Sequence, residues 1–196
     1  MPWGLRRFQQ SRCQHFITFS CYRRQSFFDT APARERFEIE LERVRKWYGI
    51  YIAGYVVMPE HVHLLVSEPE RSQLSVAVQM LKQMVARRLR RPGVRQFWQA
   101  RYYDFPVWSA KKEKEKLGYI HRNPVSRGLV AKPEDWEWSS FRQWATGCDG
   151  RVEVESQWTA SKRESTGAAL GVARAVETPA LRQNRAKGRG SPQNDS

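Results

Sequence analysis

At 196 residues and 23.0 kDa the chain has room for one domain with a real core plus a shorter appendage, and its formal charge is +14. Hydrophobic residues make up 40% and aromatics 12%, eight of them Trp, so burial can offset chain entropy and wholesale disorder is excluded. A pI near 10.2 predicts a polyanionic partner, although charge alone does not choose among DNA, RNA and an anionic membrane. No apolar run approaches the length of a membrane span, and Met1 to Arg7 lacks the greasy stretch of a secretory signal. A cytoplasmic protein is expected. Cys13, Cys21 and Cys148 are odd in number and show no C-x-x-C spacing, which fits reduced thiols.

In chain order, His15 to Tyr22 alternates β-branched and aromatic residues and reads as a strand. Thr30 caps a helix with Pro32 in its first turn; Ala33, Phe37, Leu41, Val44 and Tyr48 recur at helical spacing until Gly49 stops the run. Tyr51 to Val57 and His61 to Val66 follow as two strands joined by Met58-Pro59-Glu60, an expected antiparallel hairpin. A second helix starts after Ser72, with Leu74, Val78, Leu81, Val85 and Leu89 on one face, and ends at Arg91-Pro92-Gly93. A fourth strand is expected within Arg95 to Trp108. Ser109 then caps a charged third helix running to about His121. The order strand, helix, strand, strand, helix, strand predicts an α+β, ferredoxin-like split β-α-β sandwich, one sheet face on the first two helices and the other free to hold a site. Pro133 to Trp158 reads as short helix and coil packed by Trp136, Trp138, Phe141 and Trp144. Residues 1–158 form the expected folded domain. Residues 159–196 contain no aromatic residue and carry seven Lys/Arg against three Asp/Glu, as a disordered basic tail would.

The sharpest chemical feature is His61-Val62-His63. Side chains at i and i+2 of a strand point the same way, so both imidazoles share a face while Val62, Leu64 and Val66 face the core. Two neutral imidazoles make metal ligands and leave positions for an amide or carboxylate, water and substrate; spacing alone favours Mn or Zn. The second feature is Tyr119-Ile-His-Arg-Asn123-Pro124. On a helix Tyr119 and Asn123 share a face, placing a phenol one turn from an amide. A residue before proline is pushed away from helical geometry, so Asn123 is expected at the helix end and not inside it. His121 points away from Tyr119 and reads as structural.

Taken together, Tyr55 to Val66, Tyr119 to Val125 and Trp136-Glu-Trp-Ser-Ser140 closely resemble the REP-associated tyrosine transposases, single-tyrosine relatives of the IS200/IS605 transposases within the HUH endonucleases. The resemblance extends from about Arg12 to Trp144. It implies metal-dependent single-stranded DNA cleavage and strand transfer near REP-type hairpins through a covalent 5′-phosphotyrosine intermediate. Tyr119 matches the nucleophile, His61 and His63 the metal ligands, and Asn123 the third ligand position, where insertion-sequence relatives carry glutamine. The metal implied is Mg2+ or Mn2+. A bacterial cytoplasmic protein working at the nucleoid is implied, with a monomer favoured over a dimer and no membrane partner.

Phosphate contacts are assigned to Arg12, Arg23, Arg24, Arg87, Arg88, Lys112, Lys116 and Arg122, and stacking faces to some of Trp98, Tyr102, Tyr103 and Trp108. Core packing claims at least half of those aromatics. Two other classes stand beside this reading. One is a non-catalytic or hydrolytic single-stranded nucleic-acid-binding protein. The other is a cupin-like metal enzyme, disfavoured because the chain has long helices and only four histidines.

Overall fold

The computed structural model describes residues 14–156 and 159. Four strands, β1 (Gln14–Ser20), β2 (Ile52–Val57), β3 (His61–Ser67) and β4 (Tyr103–Val107), form one antiparallel sheet in the order β2-β3-β1-β4. The expected elements are present in the expected order, and β2 and β3 pair as the anticipated hairpin. Cys13 and the basic residue Arg12 lie outside the described residues, as does the proposed tail apart from Thr159.

Two helices cover one sheet face. The first, α1 (Ala31–Tyr48), begins after Thr30 and ends where Gly49 takes φ +65, a left-handed cap that glycine adopts without steric cost. The second, α2 (Leu74–Leu89), packs alongside it. Ile17, Phe19, Val62, Leu64 and Val66 point from the sheet into this layer and meet Phe37, Leu41, Val78 and Leu81. The strand alternation thus assigns the even-numbered β3 residues to the main core, as their apolar character requires. Trp98 is buried in the same core and donates its indole N–H to the Lys82 carbonyl at 2.8 Å.

The opposite face is not left open, contrary to the expectation from element order. The helix α3 (Ala110–Ser126) lies across it, and Phe16, Ala53, Val56 and Leu65 from the sheet pack with Ile120 and Trp136. Ser109 caps this helix, its hydroxyl accepting from Lys112 N–H at 3.3 Å. A second correction concerns its end: α3 continues through Asn123 and Pro124 to Ser126. Proline removes the N–H that would have reached back one turn and crowds the carbonyl four residues before it, and the buried Ile120, His121, Asn123 and Pro124 hold the helix down against that cost. Gly128, at φ +67, lies just beyond its end.

The outer edge of β2 is covered by the chain after α3. Val57 N–H donates to the Trp138 carbonyl at 2.9 Å, Ser140 N–H to Tyr55 at 3.0 Å and Glu155 N–H to Ile52 at 2.7 Å, which hides an edge that would otherwise invite pairing. Trp136 and Trp138 meet edge to face at 5.3 Å, with the Arg34 guanidinium 4.7 and 4.3 Å from their ring centres. They are packing residues. Short helices at Pro133–Asp135 and Phe141–Thr146 complete the segment. Cys21 is buried, and burial pushes its thiol up to about 12, so it is inert; Cys148 is exposed. No described helix is long and apolar enough to cross a membrane.

A buried carboxyl links α1 to β2. Glu38 accepts the Tyr55 hydroxyl at 2.8 Å, and burial lifts its pKa from 4.5 to about 7 despite the Tyr55 bond and Arg151 nearby. The folded state then keeps a proton that the unfolded chain releases above about 4.5, so this group lowers stability progressively between the two values and by a constant amount above. Glu38→Gln should match the parent near pH 4.5 and exceed it by up to about 3 kcal/mol at pH 8, measured as the difference between the two denaturation curves.

Candidate active site

On the face beneath α3, strand pleating presents Phe16 and Thr18 from β1 and His61 and His63 from β3. The register pairs Thr18 with His63, and that pairing sets the local geometry. Thr18 Oγ1 lies 2.7 Å from His63 Nδ1, and the ring of Phe16 stacks on His63 at 5.4 Å. Both histidines are buried, 5% and 4% exposed, because α3 closes over a face expected to be open.

Their Nε2 atoms face each other at 3.0 Å. The Glu60 carboxylate can only accept, so His61, 3.1 Å away through Nδ1, carries its proton there and leaves Nε2 bare. The Thr18 hydroxyl can donate or accept and therefore permits either tautomer of His63. Burial outweighs Glu60 and lowers the His61 pKa; burial, then His61, Arg24 and Lys116, push His63 down to about 3. Both rings are neutral at physiological pH, the state in which imidazole binds a metal.

Helix α3 brings the remaining groups. Tyr119 and Asn123, one turn apart, both face the sheet. The Tyr119 ring stands edge-on to His63 at 5.2 Å and to Phe16 at 5.9 Å, and it is 48% exposed, presenting its phenol to an open cleft of about 420 Å³. Asn123 Nδ2 lies 3.3 Å from His63 Nε2, while its Oδ1 is buried without a partner. An orphaned buried acceptor is costly, and a half-turn of the amide would direct it toward the imidazole nitrogens. Metal bonds of about 2.0–2.2 Å at right angles separate two nitrogens by about 3 Å, so the donor set fits a divalent ion held by His61, His63 and Asn123. No group of three or more His, Cys, Asp or Glu among the described residues offers an alternative cage.

The rim is cationic. Arg24, Lys116 and Arg127 line the cleft. Arg24 and its neighbour Arg23 take φ +55 and +52, left-handed conformations that cost non-glycine residues roughly 1–3 kcal/mol each. The turn is held by Cys21 N–H on the Glu60 carbonyl at 2.9 Å and Tyr22 N–H on Phe97 at 2.8 Å, and it delivers Arg24 to the cleft. Lys116 Nζ sits over the rings of Phe16 and Phe105 at 4.9 and 5.0 Å. Arg127 donates to Glu60 Oε1 at 2.9 Å, tying the end of the Tyr119 helix to the histidine strand.

Of the basic residues assigned from sequence, Arg24 and Lys116 therefore stand in the cleft. Arg23 lies over its own neighbour Tyr22 at 5.3 Å, Lys112 pairs with Glu115 at 2.8 Å, and Arg122 folds back over Gly118. Arg87 and Arg88 sit on α2, in the layer on the far side of the sheet, where Arg88 approaches Glu40 at 4.0 Å. Arg12 lies outside the described residues. His121 turns away from the cleft, as expected, with Nε2 2.9 Å from Ser140 Oγ. His15 is buried elsewhere between Asp104 and Glu68, at 2.7 and 3.4 Å. Sequence reading missed Thr18, Glu60 and Arg127. Arg127 continues the spacing of Tyr119 and Asn123 and Glu60 precedes the histidines, so both left a trace; Thr18 depends on strand register and left none.

A profile of the family described as "Transposase IS200 like" matches residues 9–123. A REP-associated tyrosine transposase of Escherichia coli K12 is 29% identical over 102 residues, 52% of this chain and 60% of that protein. A putative REP-associated tyrosine transposase of Haemophilus influenzae is 31% identical over 109 residues, 49% of this chain and 61% of that protein. The chain thus aligns with about 60% of the length of these curated relatives. Among solved structures, a REP-associated tyrosine transposase bound to a REP hairpin superposes with a TM-score of 0.63 at 24% identity, covering 78% of this chain and 92% of that one; at this identity the likeness speaks for the fold. The profile match spans β1 through Asn123 of α3, and so takes in the histidine strand and the tyrosine helix alike: the chain belongs to the IS200-like transposase family.

Proposed function

We propose that the chain cuts single-stranded DNA beside REP-type hairpins and rejoins it through a 5′-phosphotyrosine at Tyr119, with Mg2+ or Mn2+ as cofactor. The observation that carries this reading is the convergence of an exposed phenol, two neutral imidazoles and an orphaned amide oxygen on one cation-rimmed cleft. The E. coli and H. influenzae relatives and the hairpin-bound neighbour support REP hairpins as the target class. The protein would act as a monomer, in the bacterial cytoplasm at the nucleoid.

His61, His63 and Asn123 would hold the divalent ion, which when bound supplies Lewis-acid polarisation of the scissile phosphate. Arg24, Lys116 and Arg127 neutralise phosphate charge and draw the strand into the cleft. The Tyr119 hydroxyl oxygen attacks phosphorus as the bond to the 3′ oxygen breaks; the phenol gives up its proton to solvent and the departing 3′ oxygen takes one up. No co-reactant is consumed. The diester energy is conserved in the tyrosyl ester, so the 3′-hydroxyl of a second end can attack it and release Tyr119. The Phe16, His63 and Tyr119 rings pack edge-on or stacked, which orients the phenol before the strand arrives.

Purified protein mixed with a hairpin-bearing single-stranded oligonucleotide and Mn2+ should give a slower-migrating adduct on a denaturing gel, absent in Tyr119→Phe and in His63→Ala. Cleavage surviving Tyr119→Phe would mean that water attacks instead. Asn123→Ala should weaken Mn2+ binding at least about tenfold by calorimetry, because one donor is lost. Arg24→Gly relieves a strained backbone and removes a phosphate contact. It should preserve or raise Tm while reducing the slope of log affinity against log salt by about 0.7 for a single strand.

A further inference from the structure

Tyr103 is left unexplained by the chemistry above. It stands on the edge strand β4, paired in register with Thr18 and therefore on the same face as the histidines. It lines the cleft with Tyr119 yet is 46% exposed, whereas Phe105, two residues on, is partly buried against the apolar cluster of Phe16, Leu65 and Ile120 beneath α3. Its ring is held nearly parallel to Phe105, at 9° and 6.4 Å, and edge-on to Phe16 at 6.5 Å. Phe16 thus has Tyr119 on one contact and Tyr103 on another, and the Lys116 ammonium lies over the Phe16 and Phe105 rings. An exposed aromatic plane in fixed orientation, beside a cation and next to the attacking phenol, is how proteins hold an unpaired base while a neighbouring group holds its phosphate.

We propose that Tyr103 is a stacking platform for a nucleobase of the single strand next to the scissile phosphate, a positioning subsite of the Tyr119 centre. It rests on the reading of that centre as one that takes single-stranded DNA. The base lies on the Tyr103 ring and its phosphate meets Lys116. Because stacking accepts any base, the subsite fixes the reach and direction of the strand and leaves sequence choice to other contacts.

The test uses the full chain carrying Tyr119→Phe, which binds without cutting, and a hairpin oligonucleotide with 2-aminopurine placed in turn at each position flanking the cleavage point. The parent should quench fluorescence most strongly at one or two adjacent positions. Tyr103→Ala should abolish that quenching and weaken binding roughly 5- to 100-fold. Tyr103→Leu, which keeps apolar volume without a π face, should behave like Tyr103→Ala, and Tyr103→Trp like the parent. With Tyr119 restored, Tyr103→Leu should raise KM while kcat at saturation stays near the parent value. Unchanged quenching and affinity in both Tyr103→Ala and Tyr103→Leu, with the parent binding normally, overturn the subsite alone. Failure of the parent itself to bind the oligonucleotide overturns the functional reading and the subsite with it.

Discussion

Two buried imidazoles whose Nε2 atoms face each other at 3.0 Å at the floor of a positively rimmed cleft form the constraint on which the site depends. Two lone pairs so close repel unless a proton or a cation stands between them, and low dielectric sharpens the cost. The surroundings tolerate both solutions. Thr18 lets His63 carry its proton on either nitrogen, Glu60 keeps the His61 proton on Nδ1, and Asn123 holds an uncommitted oxygen in reserve. With the His63 proton on Nε2 the contact is an N–H···N hydrogen bond, and with it on Nδ1 both nitrogens are bare toward a cation.

Several structural elements contribute to holding that arrangement. Strands β1 and β3 at the centre of the sheet fix Thr18 opposite His63, the strained turn at Arg23 and Arg24 projects one cation, and α3 supplies a second with the phenol and the amide. Glu60 is the junction. Its backbone carbonyl anchors the Arg24 turn, and one carboxylate oxygen meets both His61 and Arg127. One carboxylate oxygen of Glu60 thus joins the C-terminal end of the tyrosine helix to the His61 ring.

Much of the fold was legible from local pattern. Helical spacing at Phe37, Leu41 and Val44, a stop at Gly49, and alternation through His61 to Val66 each correspond to an element in place. Two expectations failed for a shared reason. The second sheet face was expected to be open and α3 to end near His121, yet Ile120 packs against Phe16, Val56 and Leu65 and covers the face, and the helix runs on past proline with Asn123 and Pro124 buried. A proline inside a helix costs about 3 kcal/mol, and burial of several side chains along α3 outweighs it.

For the site, the types and spacings of His61, His63, Tyr119 and Asn123 could be read directly, because strand and helix periodicity place i, i+2 and i, i+4 residues together whatever the rest of the chain does. Partners contributed by other elements could not. Thr18 meets His63 only through the β1–β3 register, Tyr103 is singled out from the four aromatics named in the sequence by β4 pairing with β1, and Arg87 and Arg88 lie across the sheet from the cleft because α2 packs there. Periodicity is a property of a single segment and belongs to the sequence; register and the choice of which face a helix covers are settled between segments, by the burial each gains from the others.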